Sequence, residues 1–311
     1  MSKKTIAAAI LGGLLVYLFL NQNTLPVSFG DEWFTEELSA GYSAVLLRSS
    51  LLPGGLVKNK TTTLKGVVEN AMVETKGTYG IFIKNLKTGE SFFQNEYKVF
   101  EPGSLYKIWI LATVISEIEK GNLKEDEVLS QDVVVLNEKF NIASASAEMT
   151  EGRITLSVKD ALEQMITISH NFAALLLSER VGLSTVKTFL SENNFNESIL
   201  GESPKTTPHD IALFFEKLYK GELVNEESTK KMLNLLKKQQ LNDGLPKYLP
   251  QDVEVAHKTG DIGWFKHDAG IIFSDEGDYI IVVMSQSDYP LGAQDRIADV
   301  SRAVYEYFTN K

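Results

Sequence analysis

Glu101-Pro-Gly-Ser104-Leu-Tyr-Lys107-Ile-Trp-Ile-Leu-Ala-Thr-Val-Ile115 is the stretch on which the reading of this chain turns. From Leu105 to Ile115, Lys107 is the only charge, and a helix apolar on every side belongs in the middle of a domain. Pro102 and Gly103 punctuate its start and put Ser104 at or next to the N-cap. Residues three apart share a helix face, which sets the Lys107 amine beside the Ser104 hydroxyl. Burial disfavours the ammonium form, so this amine can take a proton from the serine. The helix start also offers N–H groups and a positive dipole end to a developing oxyanion. The pattern suits an activated nucleophile. Taken alone, it equally suits a capping serine followed by a lysine that snorkels out of a core helix.

Two constellations further along bear on that choice. Ser169-His170-Asn171 falls between two helical segments, Ser157 to Ile168 and Phe172 to Val181. The first opens on a capping-box-like Ser157-x-x-Asp160 and the second stops at Gly182. Both segments are apolar enough to be buried, so the polar residues at their junction need partners, unless they are simply caps and turn formers. Lys258-Thr259-Gly260 ends a strand-like Val253 to His257. There Lys258 stands near a strand end, and Gly260 lets another backbone or a substrate approach closely. A solvated lysine before a turn reads the same residues more simply.

The remaining elements are legible in outline. Lys60 to Val73 suits a helix, and Gly80 to Asn85 with Ser91 to Gln94 suits a hairpin around Lys87-Thr88-Gly89. Thr207-Pro208-x-Asp210 is a helix start, with an N-cap, Pro at N1 and an acid at N3, and that helix stops at Gly221. Ala269 to Phe273 and Tyr279 to Met284 are strand candidates. A final helix carries Ile297, Val300, Val304 and Phe308 at helical spacing.

S-x-x-K, S-x-N and K-T-G, in this order, form the signature of the penicillin-recognising serine enzymes. From about Thr61 to Lys311 the chain resembles the class A β-lactamases of that superfamily, in its motif separations and in the text around each motif. Thr206-Thr207-Pro208-His209-Asp210 is a further landmark of the resemblance. It implies an α+β fold in which a five-stranded antiparallel sheet, flanked by terminal helices, receives an all-helical subdomain at about 122–240. The site would lie in the cleft between them. The resemblance also implies roles. Ser104 would form an acyl-enzyme with Lys107 as its base, and Ser169 with Lys258 would pass a proton to the leaving amine. Asn171 would bind the substrate's side-chain amide, and Lys258 with Thr259 its carboxylate. The N–H groups of Ser104 and Asp261, the latter next to Gly260, would form the oxyanion hole.

This chain departs from the class A pattern in three places. The stretch Asn193 to Lys205 carries no E-x-x-L-N, and Glu197 and Glu202 are its only candidates for activating a deacylating water. His170 stands where those enzymes have aspartate. No arginine occurs from Gly263 to Phe273, where a strand arginine often helps hold substrate carboxylate. Three readings follow: a β-lactam hydrolase with slow deacylation, a D,D-peptidase-type acyl-transferase on cell-wall peptides, and an idle wall- or ligand-binding module. The intact Ser104, Lys107, Ser169, Asn171 and Lys258 argue against the last.

Composition frames these readings. The chain has 311 residues, 43% of them hydrophobic, enough for one sizeable domain plus an N-terminal extension. A net charge of −10 without a basic stripe argues against a nucleic-acid partner. Cysteine is absent, which excludes disulfides and thiol chemistry, and the four histidines show no metal-ligand spacing. No metal or cofactor is expected, and a monomer acting on a small β-lactam or D-Ala-D-Ala-type peptide is. Lys3 and Lys4 precede Thr5 to Leu20, a run without charge or an evident cleavage site. It reads as a signal anchor that places the domain outside the membrane. Residues 21–60, with Trp33, Phe34 and Pro53-Gly54-Gly55, read as a juxtamembrane linker.

Overall fold

The structure, a computed structural model, describes residues 63–310. The expected anchor and linker lie outside the described residues. Among those described, no helix is long and apolar enough to cross a membrane. Thr63 caps α1 (Leu64–Ala71), its hydroxyl accepting from the Gly66 amide. The hairpin of β1 (Thr78–Asn85) and β2 (Ser91–Gln94) turns where expected. The Asn85 side chain accepts from the amides of Lys87 and Thr88, and Gly89 takes φ +76°.

A 3₁₀ turn, Gly103–Tyr106, leads into α2 (Lys107–Glu119). Beyond it come β3 (Val128–Asp132), α3 (Val133–Lys139), β4 (Arg153–Ser157) and α4 (Val158–Thr167). Then follow α5 (Asn171–Val181), α6 (Leu183–Glu192), α7 (Pro208–Tyr219) and α8 (Glu226–Lys237). The caps read from the sequence are present: Ser157 accepts from the Asp160 amide, and Thr207 from the Asp210 amide with Pro208 at the first turn. The chain closes with β5 (Val255–Ile262), β6 (Phe265–Ile272), β7 (Tyr279–Gln286) and α9 (Pro290–Thr309).

The five long strands form one antiparallel sheet in the order β2-β1-β7-β6-β5. Burial on both faces explains why β7 is a continuous apolar run. Ile81, Ile83, Ile281 and Val283 face α1 and α9, where Val68, Ile297, Val300, Val304 and Phe308 complete a core. Phe82, Ile280, Val282 and Met284 belong to the opposite core, which holds Phe214 and Phe215 of α7 and the whole of α2 from Ile108 to Val114 except Thr113. The apolar helix is therefore the centre of the molecule, as its composition requires.

Three local expectations need correction. The inserted subdomain is not all-helical: β3 pairs with β4 as a two-stranded antiparallel ribbon, Leu129 opposite Leu156. VLSQD shows no alternation, and RITLS alternates polar and apolar over only five residues, so the pair gives a weak strand signal. Ser104 lies inside the 3₁₀ turn rather than at an N-cap. Lys258 stands in the middle of β5, not near its end, because the strand starts at Val255 and runs on through Gly260 to Ile262.

Candidate active site

Lys107 has no exposed surface and does not snorkel. Its Nζ lies 2.5 Å from the Ser169 carbonyl, 2.6 Å from Asn171 Oδ1 and 3.1 Å from Ser169 Oγ. Among the described residues none hydrogen-bonds the half-buried Ser104 hydroxyl, so the expected direct Ser104–Lys107 bond is absent from the resting geometry. The amine points instead to the loop between α4 and α5. Catalytic hydrogen bonds are often long or unmade before substrate arrives. Burial, and after it the charge of Lys258, holds the Lys107 pKa well below the ordinary lysine value, against an opposing pull from Glu148. The amine donates in all three contacts, and the longest of them presents the Ser169 hydroxyl to it.

Ser169 is held for that task. Its φ is +59°, in the left-handed region that costs a non-glycine residue roughly 1–2 kcal/mol. The strained turn aims both its carbonyl and its hydroxyl at Lys107. His170 caps α5, its Nδ1 accepting from the Ala173 amide at 3.1 Å. Burial lowers its pKa, which keeps that nitrogen free to accept. A ring nitrogen thus serves as the helix cap, a role that aspartate also fills.

From the other side, the fully buried Lys258 donates to Ser169 Oγ at 3.0 Å and to the Thr259 carbonyl at 2.9 Å. Thr259 Oγ1 lies 3.4 Å from the same amine. Burial brings the Lys258 pKa down to about 7, with the Asp268 carboxylate opposing the fall. One hydroxyl therefore bridges two buried amines.

Two glycines let β5 approach the serine turn. A Cβ on Gly260 would lie 2.5 Å from the Pro102 carbonyl oxygen and 2.9 Å from Leu105 Cγ. One on Gly103, itself at φ +50°, would lie 2.8 Å from the Asp261 amide nitrogen. Gly260→Ala is accordingly expected to destabilise by about 1–3 kcal/mol, as overpacking does. It is also expected to slow acylation by displacing the turn, so thermal melts and labelling rates should fall together.

Asp261 and Lys266 face each other across the β5–β6 pair and form an ion pair. A lysine, not an arginine, stands on this strand beside β5. His267, also on β6, donates from Nε2 to the Glu101 carbonyl at 2.8 Å and accepts at Nδ1 from the Ser285 amide at 3.0 Å. Burial lowers its pKa to about 4, so it remains neutral and ties the Glu101-Pro102 segment to the sheet. Beneath Lys258, His257 Nδ1 is 2.8 Å from Asp268 Oδ1, and Leu245 donates its amide to the other Asp268 oxygen. Among the described residues no group of three His, Cys, Asp or Glu side chains is placed to hold a metal.

A cleft of about 770 Å³ adjoins the site, lined by Glu101, Tyr106, Glu148, Asn171, Glu202 and Phe265 among others. Glu197 and Glu202 are exposed, and among the described residues neither carboxylate hydrogen-bonds to the motif residues. The acid that does is Glu148, whose Oε1 accepts from Asn171 Nδ2. The sequence gives no signal for it, because it precedes the S-x-N motif in a loop with no periodicity, on the other side of that motif from Glu197 and Glu202.

This sheet, with its inserted helices and a serine turn at the edge strand, has the architecture of the class A β-lactamases. The solved structure of PBP-A superposes with a TM-score of 0.70 at 23% identity, covering 81% of this chain and 97% of that one. A mutant of PBP-A, solved as an acyl-enzyme complex with penicillin G, matches with the same score and identity, covering 80% and 96%. The β-lactamase VEB-1 of Pseudomonas aeruginosa is 24% identical over 81% of this chain and 92% of its own length. The model of the β-lactamase enzyme family matches residues 60–308. The chain belongs to that family.

Proposed function

We propose that this protein opens β-lactams through a covalent acyl-enzyme on Ser104, and that the acyl-enzyme is released slowly. The observation that carries the reading is the pair of buried lysines, Lys107 and Lys258, bridged by the Ser169 hydroxyl and set against a half-buried serine on a turn that β5 closes. Ser104 Oγ attacks the lactam carbonyl and its proton passes to the neutral Lys107 amine. The amides of Ser104 and Asp261 hold the oxyanion. As the carbon–nitrogen bond breaks, the leaving nitrogen takes the Ser169 hydroxyl proton, which the lysines replace. Thr259 with the Lys258 ammonium holds the substrate carboxylate, and the free N–H of Asn171 the side-chain carbonyl.

Slow release rests on Glu197 and Glu202: both are exposed, and although Glu202 lines the cleft, among the described residues neither carboxylate hydrogen-bonds to a motif residue. The same observation favours a second reading, a D,D-peptidase-type acyl-transferase on cell-wall peptides. The charge-free run at Thr5 to Leu20 supports an extracytoplasmic, membrane-tethered form of either enzyme.

The full chain incubated with a labelled penicillin is expected to gain one adduct, located on Ser104 by peptide mass spectrometry. No adduct, or one on another residue, overturns the assignment. With nitrocefin a burst is expected, followed by a slow steady state that Glu197→Gln and Glu202→Gln hardly change. A fast steady state without a burst would contradict slow release.

A further inference from the structure

We propose that Glu148 makes the acyl-side-chain end of the cleft selective for substrates that carry a cation beside the side-chain carbonyl. The inference rests on the reading of Asn171 given above. The Asn171 amide is already committed at two points: Oδ1 accepts from Lys107 at 2.6 Å, and one N–H donates to Glu148 Oε1. Its second N–H is left for the carbonyl of the substrate's side-chain amide. A substrate held there puts the next atom of its side chain beside the Glu148 carboxylate, whose second oxygen has no hydrogen-bond partner among the described residues. Glu148 is exposed, belongs to none of the three motifs and forms no ion pair among the described residues; its charge acts on Lys107 and His170 only through space, and its second oxygen faces an incoming group.

An ammonium at that atom gains a partner, a neutral group gains nothing, and a carboxylate is repelled. An exposed ion pair changes an equilibrium by up to about fivefold. With attraction on one side and repulsion on the other, amine and carboxylate analogues are expected to differ by roughly tenfold.

Three penicillins that differ at this atom test the point: ampicillin with an amine, benzylpenicillin with hydrogen and carbenicillin with a carboxylate. Second-order acylation rates of the full chain are expected to fall in that order, and the spread to shrink near 1 M salt, where charges are screened beyond about 3 Å. Glu148→Gln keeps an acceptor for Asn171 and is expected to flatten the order, while Glu148→Lys is expected to invert it. A flat order in the wild type overturns the inference, as does an unchanged order in Glu148→Gln. Equal slowing of all three by Glu148→Gln also overturns it, because the residue would then only position Asn171. If none of the three acylates Ser104, the β-lactam reading itself fails, a result distinct from a flat order.

Discussion

Replacing Lys107 by alanine or arginine is expected to slow acylation of Ser104 by at least about a hundredfold, within the range that one general base contributes. Arginine stays protonated and so cannot act as the base. Three acceptors crowd Lys107 Nζ within 3.1 Å, and a guanidinium does not fit the same pocket without moving Ser169. A methionine at this position separates chemistry from packing. It fills nearly the same volume and removes the desolvation that lowers the lysine pKa. Lys107→Met is therefore expected to abolish labelling while holding or raising the melting temperature. A variant that melts earlier yet labels at the wild-type rate would make Lys107 a packing residue and restore the reading of a lysine in a core helix.

The same residue shows why the core of this fold is readable from sequence. An eleven-residue run with a single charge can only be buried, and burial of that charge demands partners, which the S-x-N loop supplies. Strands β1 and β7 and the second half of β6, from Ala269, are legible for a related reason, since both sheet faces are covered and the runs stay apolar, whereas Phe265-Lys-His-Asp268 gives no such signal. Where burial is partial the signal fails. The ribbon of β3 and β4 is held by a register that five-residue mixed sequences do not announce. The run of β5 through Lys258-Thr259-Gly260 is hidden by residues whose types describe a turn, although β6 fixes them as strand.

Site residues divide in the same way. Ser104, Lys107, Ser169 and Lys258 are tied together by motifs with a fixed chemistry, and the structure brings Lys107, Ser169 and Lys258 into one hydrogen-bonded group. Glu148 and Lys266 carry no such text. Each acts through its position across a gap, Glu148 over Asn171 and Lys266 over Asp261, and such positions follow from tertiary packing alone. His170 belongs to both classes: its place in the motif was legible, while its use of a ring nitrogen to cap α5 was not.

Lys258 is expected to impose the second large effect, and its sign with pH can be worked out. Its pKa of about 7 means that the ammonium proposed to hold the substrate carboxylate is lost as pH rises through neutrality. Acylation efficiency of the free enzyme is then expected to fall on the alkaline side with a midpoint near 7. Lys258→Arg keeps its charge and is expected to lose that limb. Lys258→Ala removes the ammonium proposed to hold the substrate carboxylate and is expected to lower efficiency by roughly 10²–10³-fold, mostly through weaker binding. Stability runs the opposite way. The folded pKa lies below the unfolded value near 10.4, so between pH 7 and 10 the unfolded chain holds more protons and stability rises with pH. The penalty is complete below pH 7, and there Lys258→Met is expected to stabilise most, on the order of a few kcal/mol. A melting temperature that falls between pH 7 and 9, or an alkaline limb that survives in Lys258→Arg, would show that Lys258 carries its charge permanently and that another group sets the pH profile.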